Sequence, residues 1–428
     1  MNRKYTFHSP VRAIKALCAM AILMVSAAGN ASDMALQQSD LTYLGAFRLP
    51  SGTFGCSDAT ACSFGYTQGG MGYNPANNSL YIFGHVYNAR LAEVNIPTLV
   101  NSRSLGSLNT ATVRQNFIDV WKGTYGDLGP GGSFITNGGR PGDVLVNGSK
   151  IVLSQWAYYD GGYDAVLSHA TANANWSNGL GFSGMKTVGQ PSAEVVGQLA
   201  GYMTWIPKSW QASLGGPALT GLACIAITTR TSMGPSAWVF DPNKIGVTNP
   251  VPATQVVGYP ANHWTLGDYE ASNNYIGGAD AITGIVWPEG SSTVLFFGRH
   301  GDTFCYGTGS GCGDPADSSK GVHGYPYHSR IWAYNANDLV AVKNGSKSPW
   351  DLKPVWVSNI EGQLNGLVSD KKDILGVAYD PSRQIIYLSA AYADDPRPVI
   401  HAFQVNLQPG TDSGPTAPPN PPADVQVQ

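Results

Sequence analysis

The stretch GGMGYNPANNSLYIFGH, Gly69 to His85, carries the pattern that decides the fold. A short apolar strand is followed by turn residues, Asn74 to Ser79, and then by a second apolar strand that stops at a polar residue. The same order returns four more times, near Asp143, Tyr202, Thr283 and Gly376. Strand units repeated at intervals of about 60 to 90 residues predict an all-β, five-bladed β-propeller, in which each blade is a four-stranded sheet.

Each unit is predicted to contain three strands. In chain order these are Met71–Tyr73, Leu80–Gly84 and Leu91–Ile96; Val144–Val146, Ile151–Gln155 and Ala165–His169; Tyr202–Ile206, Ala223–Thr228 and Ala237–Phe240; Ile285–Trp287, Thr293–Gly298 and Arg330–Tyr334; Leu375–Tyr379, Ile385–Ser389 and Val399–Val405. The N-terminal strand Leu41–Pro50 is expected to complete the last blade, which closes the ring and covers an exposed edge. A β-sandwich of similar strand count is the alternative, and the recurring internal order of the strands favours the propeller.

The composition indicates an exported protein. Of 428 residues, 43% are hydrophobic and 12% are charged, with a formal net charge of −3. Residues 1–31 combine a basic start with a short apolar run and small residues, which predicts a secretory signal. Residues 40–407 are expected to form the propeller, and the Pro-rich residues 408–428 a linker or disordered tail. The charge balance argues against nucleic acid as a partner, and no segment predicts membrane insertion.

Four cysteines lie in two loops. Cys56 and Cys62 are six residues apart, and Cys305 and Cys312 are seven apart. In an exported protein these spacings favour two local disulfides. A metal site is the alternative, but neither pair has CxxC spacing or nearby His and Cys partners. Cys224 is expected to be a small buried residue of a strand.

Propeller geometry turns strand ends into a candidate site. Loops before the first strands and after the second strands share one face, so their polar residues are expected around a central funnel. Asp143, Asp280 and Asp373 begin or precede first strands. As a group they are candidates for acid and base in glycoside hydrolysis, or for holding Ca²⁺; a turn-capping role is the alternative for each.

Histidine and arginine form a second candidate cluster. His85 and His300 end equivalent second strands, and Arg299 precedes His300. A β-eliminating lyase needs a base, a proton donor and a cation that neutralises a uronate, and these residue types suit those roles. The alternative is that they fasten the long loop after His300.

Aromatic and cationic residues in the same loops are candidates for substrate binding, because exposed rings stack on sugars. The predicted substrate-binding residues are Arg140, Trp156, Tyr158, Tyr159, Arg230, Tyr327 and Tyr392. They point to a polysaccharide or oligosaccharide as the partner.

At the level of architecture, residues 41–407 resemble the secreted five-bladed propellers that include several glycoside hydrolase families. The resemblance implies an extracellular carbohydrate-active enzyme whose funnel holds two Asp and a Glu, and Glu270 is the nearest candidate for the Glu. From the residues, hydrolysis and β-elimination both stay open. A non-catalytic glycan-binding or surface-interaction propeller is the alternative to an enzyme.

Overall fold

The fold is mostly β-structure arranged as a five-bladed propeller. The computed structural model describes residues 34–135, 139–223, 231–260, 263, 265–268, 270 and 273–407. The predicted signal, the Pro-rich tail, Cys224 and Arg230 lie outside the described residues. Within the described part of the chain, no helix is long and apolar enough to cross a membrane.

The first blade and the second follow the predicted order. The first contains β2 (Met71–Asn74), β3 (Ser79–Phe83), β4 (Leu91–Asn95) and β5 (Thr112–Ile118), and the second contains β6 (Gly139–Asn147), β7 (Lys150–Ala157) and β8 (His169–Asn173). The sequence placed the third strand of blade two at Ala165–His169, which is wrong. The carboxylate of Asp160 accepts hydrogen bonds from the backbone N–H groups of Asp164 and Ala165, so the chain forms a loop there. The third strand, β8, begins only at His169, the last residue of the predicted strand.

The third blade departs from the prediction in its second strand. Its sheet contains β9 (Met203–Trp205), β10 (Ala218–Thr220), β11 (Ala237–Phe240) and β12 (Ala253–Val257). The second-strand position is taken by β10, which pairs with both β9 and β11. Of the strand predicted at Ala223–Thr228, residues 224–228 lie outside the described residues. Ala223 instead bridges to Ile282 of the next blade.

The fourth blade carries an additional hairpin. Its sheet contains β13 (Ala281–Val286), β14 (Thr293–Gly301), β17 (Tyr327–Asn335) and β18 (Trp356–Asn359), and the hairpin contains β15 (Cys305–Thr308) and β16 (Lys320–His323). The helices are α1 (Ala193–Val196), α2 (Lys208–Leu214) and α3 (Ala336–Lys343), with 3₁₀ turns at Gln38–Asp40, Leu105–Ser107, Pro130–Gly132, Trp176–Asn178, Pro242–Lys244 and Glu361–Gln363. Helix α2, which contains Trp210, connects β9 to β10.

The fifth blade is closed by the N-terminal strand, as predicted. Its sheet contains β19 (Ile374–Asp380), β20 (Ile385–Asp394), β21 (Arg397–Val405) and, at its outer edge, β1 (Leu41–Arg48). The antiparallel register runs from Leu41 opposite Val405 to Arg48 opposite Val399. The blade therefore joins the two ends of the described chain.

The inner strands form a closed ring. Strand β2 contacts β6, β6 contacts β9, β9 contacts β13, β13 contacts β19, and β19 returns to β2. Glycines permit this close approach at the axis: a Cβ on Gly376 would lie 2.4 Å from the Cα of Gly70. Apolar side chains fill the spaces between neighbouring blades, and Leu153, Phe296 and Leu388 are fully buried there.

Both predicted disulfides are present. Cys56 is bonded to Cys62 in the loop before blade one, and Cys305 is bonded to Cys312 in the hairpin of blade four. Each bond fastens a long loop on the face that carries the cavity described below.

Candidate functional site

A cavity of about 400 Å³ opens at one mouth of the central channel. The starts of the inner strands and the ends of the second strands form its wall, as the sequence geometry predicted. Its polar and aromatic lining residues are Gln68, Arg140, Trp156, Tyr158, Tyr202, Thr283, Arg299, Lys371, Asp373 and Tyr392. The channel's other mouth is apolar, with Met71, Val144, Met203, Ile285 and Val377 among the residues around a smaller cavity of about 180 Å³.

Arg299 and Asp373 form an ion pair in the wall of the mouth cavity. Arg299 lies near the end of β14 and Asp373 precedes β19, so adjacent blades supply the two charges. The Nη1 of Arg299 lies 2.8 Å from Oδ1 of Asp373, and Nη2 donates to the carbonyl of Ala279 at 3.1 Å. The Nε of Arg299 is buried and has no hydrogen-bond partner among the described residues. The guanidinium is thus fixed in position by two of its five N–H donors.

The hairpin of blade four supports Arg299 from behind. The Arg299 guanidinium lies 4.7 Å from the centre of the Tyr327 ring, within cation–π range. The Tyr327 hydroxyl donates to Oδ2 of Asp314 at 2.6 Å, and that oxygen also lies 2.7 Å from Nδ1 of His323. Burial, together with the hydrogen bond to Asp314, raises the pKa of Tyr327 to about 12. Tyr327 is buried, so it positions Arg299 and does not line the cavity.

Asp143 is tied to the backbone of two blades. Its Oδ1 accepts from the N–H of Val144 at 2.8 Å, and its Oδ2 accepts from the N–H of Met203 at 2.7 Å. The residue is 3% exposed, and burial raises the pKa of its carboxyl well above the usual range. Its neighbours Pro141 and Gly142 line the mouth cavity, whereas Asp143 does not.

Asp280 and His300 form a second buried pair. Nδ1 of His300 lies 3.0 Å from Oδ2 of Asp280, and the other carboxylate oxygen of Asp280 accepts from the N–H of Gly301 at 3.0 Å. The opposite ring nitrogen of His300 lies 3.8 Å from Asp302. His300 is 2% exposed, and neither member of the pair lines the mouth cavity. The structure therefore brings only Asp373 of the three aspartates to the cavity wall.

His85 lies on an aromatic rim beside the cavity. Its ring is 5.5 Å from that of Tyr66 and 5.3 Å from that of Tyr87, and its Nδ1 accepts from the N–H of Tyr87 at 3.2 Å. Partial burial lowers the pKa of His85. His85 is half-buried and does not line the mouth cavity.

Tyr392 stands on the wall next to Asp373. It lies in β20, in the irregularity between the paired residues Ala390 and Asp394, and has a positive φ of 52°. Burial and, after it, the charge of Asp373 raise the pKa of the Tyr392 phenol, which therefore stays protonated at neutral pH. A protonated phenol beside a carboxylate can donate a proton to a leaving group.

No family model and no curated protein matches this chain. Solved structures are similar to it at low identity. A native arabinanase from Bacillus subtilis is 11% identical with a TM-score of 0.41, and the match covers 78% of this chain and 93% of that one. A glycosyl hydrolase from Bacteroides ovatus is 12% identical with a TM-score of 0.41, covering 87% and 96%. A luciferin-regenerating enzyme is 8% identical with a TM-score of 0.34, covering 85% and 94%. Likeness at this level carries no argument about family or activity.

A second cavity lies beside the first, over blade two. It has a volume of about 540 Å³ and is lined by Tyr87, Tyr125, Gly126, Phe134, Gly139, Arg140, Tyr158 and Tyr159. Arg140 and Tyr158 line both cavities. Trp156 lines the first, with its ring 6.2 Å from that of Tyr158, whereas Tyr159 lines only the second. The predicted substrate-binding residues of blade two are thus all present on this face.

Among the described residues, the predicted Glu and the predicted Ca²⁺ site are not found at the mouth cavity, whereas a lysine that was not predicted is. Glu270 lies in an exposed loop and does not line the mouth cavity. Within the described ranges, no cluster of three or more His, Cys, Asp or Glu side chains is arranged to hold a metal ion. The three aspartates that the sequence offered as candidates for holding Ca²⁺ have separate partners. Sequence reasoning missed Lys371, which lines the cavity and is paired with Asp317 at 2.5 Å. Its position two residues before Asp373 was the available signal.

Proposed function

We propose that this protein is an extracellular carbohydrate-active enzyme that cleaves an acidic polysaccharide at the mouth of the channel by β-elimination. The observation that carries the proposal is the charge of the mouth cavity. Among its described lining residues, three are cations, Arg140, Arg299 and Lys371, and one is a carboxylate, Asp373. Trp156 and Tyr158 add apolar faces of the kind on which sugar rings stack.

The geometry favours elimination over hydrolysis. Glycoside hydrolysis normally uses two carboxyl groups that flank the scissile bond. Asp143 is bonded to two backbone amides, and Asp280 is bonded to His300 and to the N–H of Gly301. This leaves one carboxylate at the described cavity wall, which is too few for the two-carboxylate mechanism.

Elimination needs three groups, and the cavity offers all of them. The guanidinium of Arg299, which lines the cavity, can bind the substrate carboxylate and so make the neighbouring C5 proton more acidic. Asp373 would accept that proton, and Tyr392 would give its phenolic proton to the departing glycosidic oxygen. The C4–O bond breaks as the C4–C5 double bond forms, and no water is consumed.

Two observations support an extracellular location. The two disulfides are bonds that persist in oxidising compartments. The basic and apolar start of the chain has the composition of a secretory signal.

The proposal is tested with the purified full chain and a panel of uronic-acid polysaccharides, together with their carboxyl-reduced, neutral counterparts. We expect ultraviolet absorbance from unsaturated uronate ends to grow with the acidic polymers and not with the reduced ones. New reducing ends without that absorbance would show hydrolysis and overturn the mechanism. Binding to the polymers without either product would support the alternative, a glycan-binding propeller, which the same aromatic lining also suits.

A further inference from the structure

The second cavity, over blade two, holds an exposed aromatic surface that the proposed chemistry does not use. Three of its rings are well exposed: Tyr87 is 72% exposed, Phe134 62% and Tyr159 48%. A cluster of solvent-exposed aromatic side chains often indicates a binding surface. We name this cavity, with the lining residues given above, the aromatic cleft.

The cleft is built on a fixed floor. The hydroxyl of Tyr125 lies 2.8 Å from the carbonyl oxygen of Val86 and 3.0 Å from that of Gly139. These contacts tie a loop of blade one to the first residue of β6. The backbone of Gly126 is in turn bonded to the buried side chain of Gln155 at 2.5 Å. The floor is therefore shaped before any ligand arrives.

Arg140 is the charged group of the cleft, and it stands between the two cavities. Its guanidinium lies 4.9 Å from the centre of the Tyr158 ring and 5.8 Å from that of Tyr87. It donates one hydrogen bond to the carbonyl of Gly139 at 2.8 Å. Within the described part of the chain no acidic side chain forms an ion pair with it, whereas Arg299 and Lys371 are paired with Asp373 and Asp317. Most of the five N–H donors of Arg140 are thus available to an anion.

From this arrangement we infer that the aromatic cleft is a second binding site for the same polysaccharide. The cleft binds anionic sugar units that lie further along the polysaccharide than the cleaved bond. Sugar rings stack on Phe134 and Tyr159, and a uronate carboxylate bridges to Arg140 at the junction. The inference rests on the proposed function for the identity of the ligand. Each cavity lies within the usual size range of ligand sites, roughly 300 to 1,000 Å³, and their shared residues make one continuous path.

The test measures binding, so that it does not depend on cleavage. Uronic-acid trisaccharides and hexasaccharides from alginate and pectate, and their carboxyl-reduced forms, are titrated calorimetrically into the full chain carrying Asp373→Asn. For the polymer that binds, we expect the acidic hexasaccharide to bind roughly tenfold more tightly than the trisaccharide. The double variant Phe134→Ala/Tyr159→Ala should remove that difference and leave trisaccharide binding unchanged. Arg140→Met should reduce the preference for the acidic over the reduced hexasaccharide, and Arg299 and Lys371 should retain the remainder.

Tyr306→Ala is the matched control, because Tyr306 is an equally exposed ring, 61%, on the hairpin of blade four and outside both cavities. It should leave both affinities as they are. Equal affinity for the two lengths, or a length preference that survives in the double variant, would overturn the inference. So would the absence of binding by any of these oligosaccharides. Tight hexasaccharide binding that needs the cleft, in a protein whose unsubstituted form cleaves nothing, would support the cleft and refute only the enzymatic proposal.

Discussion

Arg299 shows how a single residue is prepared for work at the cavity. Its two terminal nitrogens are bonded to Asp373 and to a backbone carbonyl, its central carbon lies 4.7 Å from the centre of the Tyr327 ring, and its Nε has no partner among the described residues. A guanidinium held in this way has lost its rotamer freedom before a ligand binds, so less entropy is lost on binding. Lysine in its place would keep the charge but not the planar, forked geometry.

The first prediction concerns the Arg299–Asp373 pair. We expect Asp373→Asn to lower kcat by at least about 100-fold, which is the usual contribution of a general base, while the Arg299 contact is partly kept by the amide oxygen. We expect Arg299→Lys to lower kcat with a normal circular dichroism spectrum. Steady-state kinetics on the acidic polymer measures both. Activity in Asp373→Asn close to that of the unsubstituted protein would refute the assigned role.

The second prediction separates Asp143 from that pair. Asparagine at this position offers one oxygen to two backbone donors, so one N–H is left without its partner. We expect Asp143→Asn to lower the free energy of unfolding by about 1–3 kcal/mol in urea titration. Turnover per folded molecule should be retained. Lost turnover at unchanged stability would instead place Asp143 in the chemistry.

At the scale of single residues, the sequence predicts which residues lie at the ends of strands, but not which hydrogen-bond partners their side chains find. Arg299 and Asp373 were placed by strand order, and both reach the cavity. Asp143 was placed by the same reasoning, yet its Oδ2 is bonded to Met203, 60 residues away, and that bond depends on how neighbouring blades meet. His300 likewise turns to Asp280 instead of the cavity.

At the scale of the element, strands were predictable wherever an apolar run met clear turn residues. Asn78, with a φ of 49°, makes the turn between β2 and β3 as expected. The outermost strand of blade one, β5, was missed because it is half-exposed and lacks apolar alternation. Strand β10 was missed because it has only three residues. The second strand of blade three was predicted instead in the longer apolar run at 222–228.

The third prediction concerns β1 as the strand that closes the ring. Phe47 lies opposite Ile400 and is fully buried in the core between blades one and five. We expect Phe47→Ala to lower the free energy of unfolding by about 3–5 kcal/mol, and the loosened strand to bare the edge of β21. Urea titration and light scattering measure the two effects. Tyr306→Ala, an exposed ring, is the control, and a shift as small as the control's would contradict the prediction.

At the scale of the whole molecule, two buried histidines make stability depend on pH. His169 is bonded to Ser168 and Thr220, and Nε2 of His401 donates to the carbonyl of Leu367 while Nδ1 accepts from Tyr43. Burial lowers the pKa of His169 to about 3 and that of His401 to about 4. Both therefore stay neutral in the folded protein at pH values where the unfolded chain takes up protons.

The fourth prediction follows from that difference. As pH falls below about 6.5, where histidine in the unfolded chain titrates, the unfolded state gains protons and the folded state does not. Each histidine should then cost about 1.4 kcal/mol of stability per pH unit, down to its own folded-state pKa. The urea midpoint of the protein should fall between neutral pH and about pH 5. His401→Gln and His169→Gln should each flatten that fall, and parallel curves would contradict the assignment.

The closing strand also determines how the ring responds to tension. Leu41 pairs with Val405, and the N–H of Asn406 donates to the carbonyl of Asp40 at 2.8 Å, so the chain enters and leaves at one end of the same ladder. Upstream, a short tether fastens Met34 to blade four through two backbone hydrogen bonds, one to Gly290 at 3.0 Å and one from Ser292 at 2.9 Å. Force applied between the two ends would detach this tether and then load the β1–β21 rungs singly, from Leu41 towards Arg48. Hydrogen bonds that break one after another resist little force. A protein held by one end in flowing fluid therefore keeps the β1–β21 pair intact, whereas in a protein pulled by both ends these two strands would separate.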